Sequence, residues 1–328
     1  MRSTRRSVKL IAAGVALAGL LAACGSDSEG SDATAAPAAE GTEAPAASTG
    51  DSAAATPAGD GAAITLAVNP WTGSAVNANV AKVVLESQLG TPTTLLDIDE
   101  NSTWVGMDDG SIDATLEVWP SGHAADYETY ITGKGTVVDL GKLGPSAKIG
   151  WYVPTFVVEQ HPELATWEGF QDPELAKLFS TAESGADLGQ FLMGDPSYVT
   201  YDEQIIANLE LPLKYVVAGS EAALITAIQT AVDEQTPLLL QFWQPHWLQS
   251  KVDLTEVKLP DVTDECLASA AAADGGYACD YAPDPLYKAA SAGLEEKNAA
   301  ALSRSPSLPT LKPSRLHAGA TALRSTSE

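Results

Sequence analysis

Residues 64–90 read ITLAVNPWTGSAVNANVAKVVLESQLG. Ile64–Val68 has the apolar, β-branched run of a strand, and Asn69-Pro70-Trp71-Thr72-Gly73-Ser74 has the composition of a turn. Beyond it Val76, Val80, Val83, Val84 and Leu89 recur at helical spacing up to Gly90, which predicts an amphipathic helix with this stripe as its core face. Strand, turn and helix in succession are the building unit of a layered α/β lobe. Further strand signals at Thr94–Ile98, Ala114–Val118, Val137–Leu140 and Ile149–Val153, with short helical stretches at Trp104–Asp108 and Ala124–Ile131, extend it into three layers.

The middle of the chain repeats the theme. His161–Phe179 reads as an interrupted helix, Tyr201–Leu209 as a helix, Lys214–Val217 as a strand, Ala222–Val232 as a helix and Leu238–Phe242 as a buried strand. The predicted organisation is a first lobe over 61–150, a second over 151–244, and a return to the first over 245–300 through a strand at Val252–Leu259. A cleft between two such lobes, at the carboxyl ends of their strands, is where ligands settle. Aromatic residues gather there: Trp119 after one strand, Tyr198 before a helix, and Trp243 in FWQPHW, residues 242–247.

The amino terminus has a different purpose. Arg2, Arg5, Arg6 and Lys9 precede an apolar run from Leu10 to Leu20 that is too short to span a bilayer, so residues 1–23 read as an export signal. Leu21-Ala22-Ala23-Cys24 resembles the lipobox of bacterial lipoproteins, which makes Cys24 the candidate lipidation site; Thr4-Arg5-Arg6 leaves twin-arginine export open beside the general route. Residues 24–60 are Ser, Ala, Gly, Thr, Pro and acids with almost nothing to bury, a flexible linker between membrane and body. Residues 301–328 have no periodicity and read as a disordered tail. The protein is thus expected to be exported and lipid-anchored to the outer face of the cytoplasmic membrane. With Cys24 lipidated, Cys266 and Cys279 remain as an even pair in an oxidising compartment, and a disulfide between them is the expectation.

The net charge is −25. Removing the four cations of the leader from 18 leaves 14 Lys and Arg against 43 Asp and Glu, a net −29. Such a body repels nucleic acid and anionic headgroups. No arginine occurs between Lys9 and Arg304, so a carboxylate or phosphate cannot be held by a guanidinium fork in the body. The four histidines, His123, His161, His246 and His317, show no metalloprotease spacing, and neither a G-x-S-x-G elbow nor a P-loop is present. No enzyme class, metal or cofactor is implied.

Four fragments carry a family resemblance over roughly residues 64–300. They are Thr65–Pro70, Gly110–Thr115 leading to Glu117-Val118-Trp119-Pro120 with His123, Gly194–Tyr198, and Phe242–Trp247. In this order they resemble the substrate-binding proteins of osmoprotectant ABC importers, the glycine betaine, proline betaine and choline binders. The resemblance implies a two-lobed, type II periplasmic-binding-protein-like fold and partnership with an ABC permease and its cytoplasmic ATPase. It also implies a quaternary ammonium ligand held in an aromatic cage. Trp119 and Trp243 match cage tryptophans of that family, and Tyr198 falls where similar relatives have tryptophan.

The chemistry stands on its own. A trimethylammonium group has no N–H to donate; its charge is diffuse and its surface is methyl. Aromatic faces answer both properties, at about 0.5–2 kcal/mol per ring. Trp71 is either a fourth wall or a packing residue of the first turn. For a carboxylate at the ligand's other end, the candidates are the N–H groups of Gly73, Ser74 and Ala75 at a helix N-terminus, with Val199 and Thr200 as alternatives and His246 as a further donor. Choline binders resembling this chain carry an acid two places after the first-turn tryptophan; Gly73 stands there, which favours a betaine. Choline, carnitine or another amine remains the alternative ligand, and a surface lipoprotein without a transport role the alternative function. Trp104, Trp167, Trp151, Tyr152 and Trp247 read as packing or support, and His123 as a loop-fixing residue.

Overall fold

The structure, a computed structural model, describes residues 61–270 and 275–303. The expected signal, Cys24, the linker and all but the first residues of the tail lie outside the described residues. The strands are β1 (Ile64–Val68), β2 (Thr93–Asp97), β3 (Ala114–Val118), β4 (Val137–Pro154), β5 (Gly189–Met193), β6 (Leu213–Val217), β7 (Leu239–Gln244), β8 (Leu254–Val257) and β9 (Asp284–Ser291). The principal helices are α1 (Thr72–Leu89), α2 (Glu100–Asp109), α3 (Thr155–Gln160), α4 (Asp202–Asn208), α5 (Glu221–Glu234), α6 (Asp264–Ser269) and α7 (Leu294–Ser303). None of the described helices is long and apolar enough to cross a membrane.

In lobe 1, β1 pairs in parallel with β2 and β3, and β9 lies antiparallel to β3. Helix α1 forms where its spacing predicts, but it turns a different face inward. Ser74, Ala78, Ala81 and Leu85 are buried, whereas Val76, Val80 and Val83 are 54%, 50% and 63% exposed. The small residues let the helix lie close against the sheet, where a valine stripe would hold it off. Asp99 caps α2 by accepting from the Ser102 N–H at 2.9 Å, which directs Trp104 and Met107 into the core.

Strand β4 joins the halves. Read as two strands in the sequence, it is one run of 18 residues. Its first part pairs with β9 of lobe 1, and Lys148–Tyr152 pairs with β7 of lobe 2. The sheet order is therefore β2-β1-β3-β9-β4-β7-β5-β6, with β8 beside β4.

The return to lobe 1 comes later than the expected boundary at 245. β8 pairs with Trp151–Pro154, and Val257, Tyr277, Cys279 and Tyr281 fill the lobe 2 core around Trp151 and Phe191. Burial of those side chains holds the segment to lobe 2 until β9. The Cys266–Cys279 disulfide is formed within it. Two further elements differ from expectation. Residues 161–179 fold as short turns broken by Pro162 and Pro173, and β5, whose five residues are all buried, has no β-branched residue to reveal it.

Candidate functional site

Trp71, Trp119, Tyr198 and Trp243 line one cavity between the lobes. Trp71 is the extended residue before α1, Trp119 follows β3, Tyr198 sits in the loop after β5, and Trp243 lies in β7 opposite Ile149 of β4. Tyr198 stands edge-on to two of its neighbours, with ring centres 5.9 Å from Trp71 and 5.7 Å from Trp243. Gly194 makes room for that ring: a Cβ there would lie 2.8 Å from Tyr198 Cε2.

One carboxylate fixes two of the indoles. Trp71 Nε1 donates to Glu117 Oε1 at 2.8 Å, and Trp119 Nε1 donates to the same oxygen at 3.2 Å. Asn77 Nδ2 donates to the other oxygen at 2.7 Å. Burial in β3 pushes the Glu117 carboxyl above the usual carboxylate range, partly offset by these three donors.

The lobes meet across the cavity through hydrogen bonds. Tyr198 Oη donates to Pro70 O at 2.9 Å, Val199 N–H to Glu100 Oε1 at 2.6 Å, and Tyr201 Oη to Ser121 O at 3.0 Å. Thr72 gives both its N–H (2.8 Å) and its Oγ1 hydroxyl (2.6 Å) to Glu221 Oε2 of α5. The lobes are closed, and a loop of four consecutive residues, 198–201, supplies both a cavity wall and three of these contacts.

The expected anion cradle does not face the cavity. Gly73, Ser74 and Ala75 do not line the cavity: Ser74 Oγ accepts from Asn69 N–H, Ala75 N–H donates to Trp71 O, and Glu221 occupies the α1 N-terminus at Thr72. The protein's own carboxylate takes the place that a ligand carboxylate would want. His246 also stands outside the lining. Its Nδ1 accepts from Leu248 N–H at 3.1 Å, which puts the proton on Nε2, 3.0 Å from Glu221 Oε1. Burial raises the Glu221 carboxyl, but His246 and Thr72 outweigh it and hold it below the usual range.

Val199 and Thr200 do line the cavity, although the Val199 N–H is spent on Glu100. Glu100 is a lining residue that sequence reading missed. Its other oxygen is 2.9 Å from His123 Nε2, and Asp126 lies 2.8 Å from Nδ1. Burial depresses the His123 imidazole, but the two acids outweigh it and raise it to about 9. Gln241, also missed, lines the cavity at 2% exposure with its Oε1 lacking a partner. The available signal for Gln241 and Glu117 was the same: a long polar side chain set within a run of buried strand residues.

The other tryptophans are placed elsewhere. Trp104 stacks on Tyr130 in the lobe 1 core, Trp151 packs on Phe191 and donates to Asp202 Oδ1 at 2.7 Å, Trp167 packs against the lobe 2 core, and Trp247 is 49% exposed beside His246. Among the described residues no cluster of His, Cys, Asp or Glu could hold a metal ion.

Two α/β lobes closed over an aromatic cavity define a solute-binding receptor of the type II periplasmic class. Residues 62–310 match the substrate binding domain of ABC-type glycine betaine transport systems, and the chain belongs to that family. It is thus an extracytoplasmic substrate-binding protein that works with an ABC permease, and not an enzyme. A trimethylamine N-oxide-binding protein of Pelagibacter ubique is 26% identical over 232 residues, 69% of this chain and 71% of that protein. The fold is shared with the glycine betaine, L-proline-binding protein ProX of Borrelia burgdorferi (TM-score 0.56, 18% identity, 72% of this chain and 78% of that one). It is also shared with lactococcal OpuAC in its closed form with glycine betaine (TM-score 0.52, 18% identity, 73% and 81%).

Proposed function

We propose that this protein captures a small ligand with a trimethylated, positively charged nitrogen, glycine betaine or a close relative, between Trp71, Trp119, Tyr198 and Trp243, and presents the closed form to its permease. The observation that carries the proposal is the cavity wall: four rings drawn from both lobes, with no Lys or Arg among the described lining residues. At about 0.5–2 kcal/mol per ring, four faces contribute a large share of the roughly 8 kcal/mol of a micromolar complex. Because the rings come from both lobes, the ligand is gripped fully only when the halves close, and this differential contact drives closure. An export signal and lipidation of Cys24, with residues 24–60 as tether, would keep the receptor near the permease.

A second ligand is favoured because Gly73, Ser74 and Ala75 do not line the cavity, Glu221 stands at the α1 N-terminus, and the Val199 N–H is engaged. With those N–H groups turned elsewhere or taken, a compact ligand without a carboxylate fits as well as a betaine. Trimethylamine N-oxide, the ligand named for the Pelagibacter relative, is the first of these.

Titration calorimetry of the mature protein with glycine betaine, proline betaine, trimethylamine N-oxide, choline, carnitine and free proline tests both. Binding confined to methylated compounds is expected. Capture of proline with indifference to all of them would remove the cage.

A further inference from the structure

Glu117 presents a problem in electrostatics that the rest of the chain leaves open. It is buried in β3, and its partners are the neutral donors Trp71, Trp119 and Asn77. The charged group that acts on it is Glu221, of the same sign, itself held by Thr72 and His246. A buried charge without an opposite partner is strongly disfavoured. Room for the carboxylate is nevertheless built in, since Gly73 leaves open the space its oxygens approach.

Both indoles that Glu117 holds line the cavity, while Glu117 itself does not. An indole whose N–H donates to a carboxylate has a more electron-rich face, which strengthens attraction for a cation above it. One oxygen also locks two rings from different elements in fixed relation, so less ordering is left to the moment of binding.

We infer that Glu117 is the positioning residue of the cage and that its missing counter-charge is the ligand's methylated ammonium, felt across the two indoles it holds. The inference deepens the proposed cage and rests on it. Glu117 acts on the ligand through Trp71 and Trp119. Its distinguishing effect is on charge, because a purely structural support would serve a charged ligand and an uncharged one of the same shape alike.

The test uses two pairs of probes that differ in charge and not in outline: choline with 3,3-dimethylbutan-1-ol, and glycine betaine with 3,3-dimethylbutanoate. Calorimetry compares the wild-type protein with Glu117→Gln, whose fold is checked by thermal melting. The wild type is expected to prefer the ammonium member of a bound pair by about tenfold or more. The variant should weaken that member about tenfold and leave the carbon isostere within about twofold. Equal weakening of both members would reduce Glu117 to a structural role and overturn the inference. Should the variant not fold, equal affinity of the wild type for the two members of a pair would overturn it as well. Failure of every ammonium probe to bind removes the cage itself, an outcome distinct from equal affinities.

Discussion

Gly73 lies against Glu117: a Cβ on residue 73 would stand 2.8 Å from the carboxylate Oε2 and 3.0 Å from Oε1. Alanine inside a helix ordinarily gains about 1 kcal/mol over glycine. In Gly73→Ala the new methyl must instead push Glu117 away from Trp71 and Trp119. We expect a melting temperature close to that of the wild type with roughly tenfold weaker binding of the preferred ligand, since a displaced carboxylate frees both indoles. Calorimetry beside a thermal melt checks this, and unchanged affinity would detach Glu117 from the cage.

Tyr198 has two separable duties, a ring face in the cavity and a hydroxyl bonded to Pro70 O of the other lobe. Tyr198→Phe keeps the face and removes one neutral hydrogen bond, so affinity should fall by about 0.5–1.5 kcal/mol. Trp119→Ala removes a wall and should cost about 1–2 kcal/mol or more. Small-angle scattering distinguishes them: with ligand saturating, the phenylalanine variant should populate more of an open form than the wild type.

The Glu221 carboxylate receives Thr72 of lobe 1 on one oxygen and His246 of its own lobe on the other. In Glu221→Gln one of those acceptors becomes an N–H₂ facing a donor, at a cost of about 1–2 kcal/mol. Glu221 does not line the cavity, so affinity for every ligand should fall together while their ratios stay fixed. A changed preference between glycine betaine and choline would place Glu221 in direct touch with the ligand.

Asp202 is fully buried, and burial raises its carboxyl from 3.8 to about 6 although Trp151 and Tyr281 donate to Oδ1. A carboxyl with a raised folded-state value binds more protons folded than unfolded. Its contribution is greatest below 3.8 and is lost as pH rises to about 6. Asp202→Asn can accept the same two bonds and has no such titration. Thermal melts across that range should therefore show a smaller decline for the variant than for the wild type.

Much of the scaffold was legible because its elements are local. β1, the end of α1 at Gly90, and β3 are set by short-range patterning, and the structure keeps them, whereas the turn expected over Asn69–Ser74 is cut short because α1 already begins at Thr72. The face that α1 buries was not legible, because closeness to the sheet favoured small Ser74, Ala78 and Ala81 over the larger valines, a preference visible only once the sheet is present. β5 escaped because Gly189-Gln190-Phe191-Leu192-Met193 has no β-branched residue, unlike the equally buried β3 with Thr115 and Val118. In the site, Trp119, Tyr198 and Trp243 were readable from motif order while Trp71 stood open between wall and packing, and the structure brings all four to one cavity. The meeting of Thr72 at the α1 N-terminus with Glu221 was not readable, since the two lie 149 residues apart in the chain.

Strand β4 crosses from one half of the molecule to the other without interruption, bonded to β9 on one side of the junction and to β7 and β8 on the other. The halves are in this respect one fabric. A chimera that grafts one half onto a foreign counterpart has to carry the whole ribbon with it. Changes along Lys142–Lys148, where the ribbon passes from β9 to β7, would be felt at both ends of the protein.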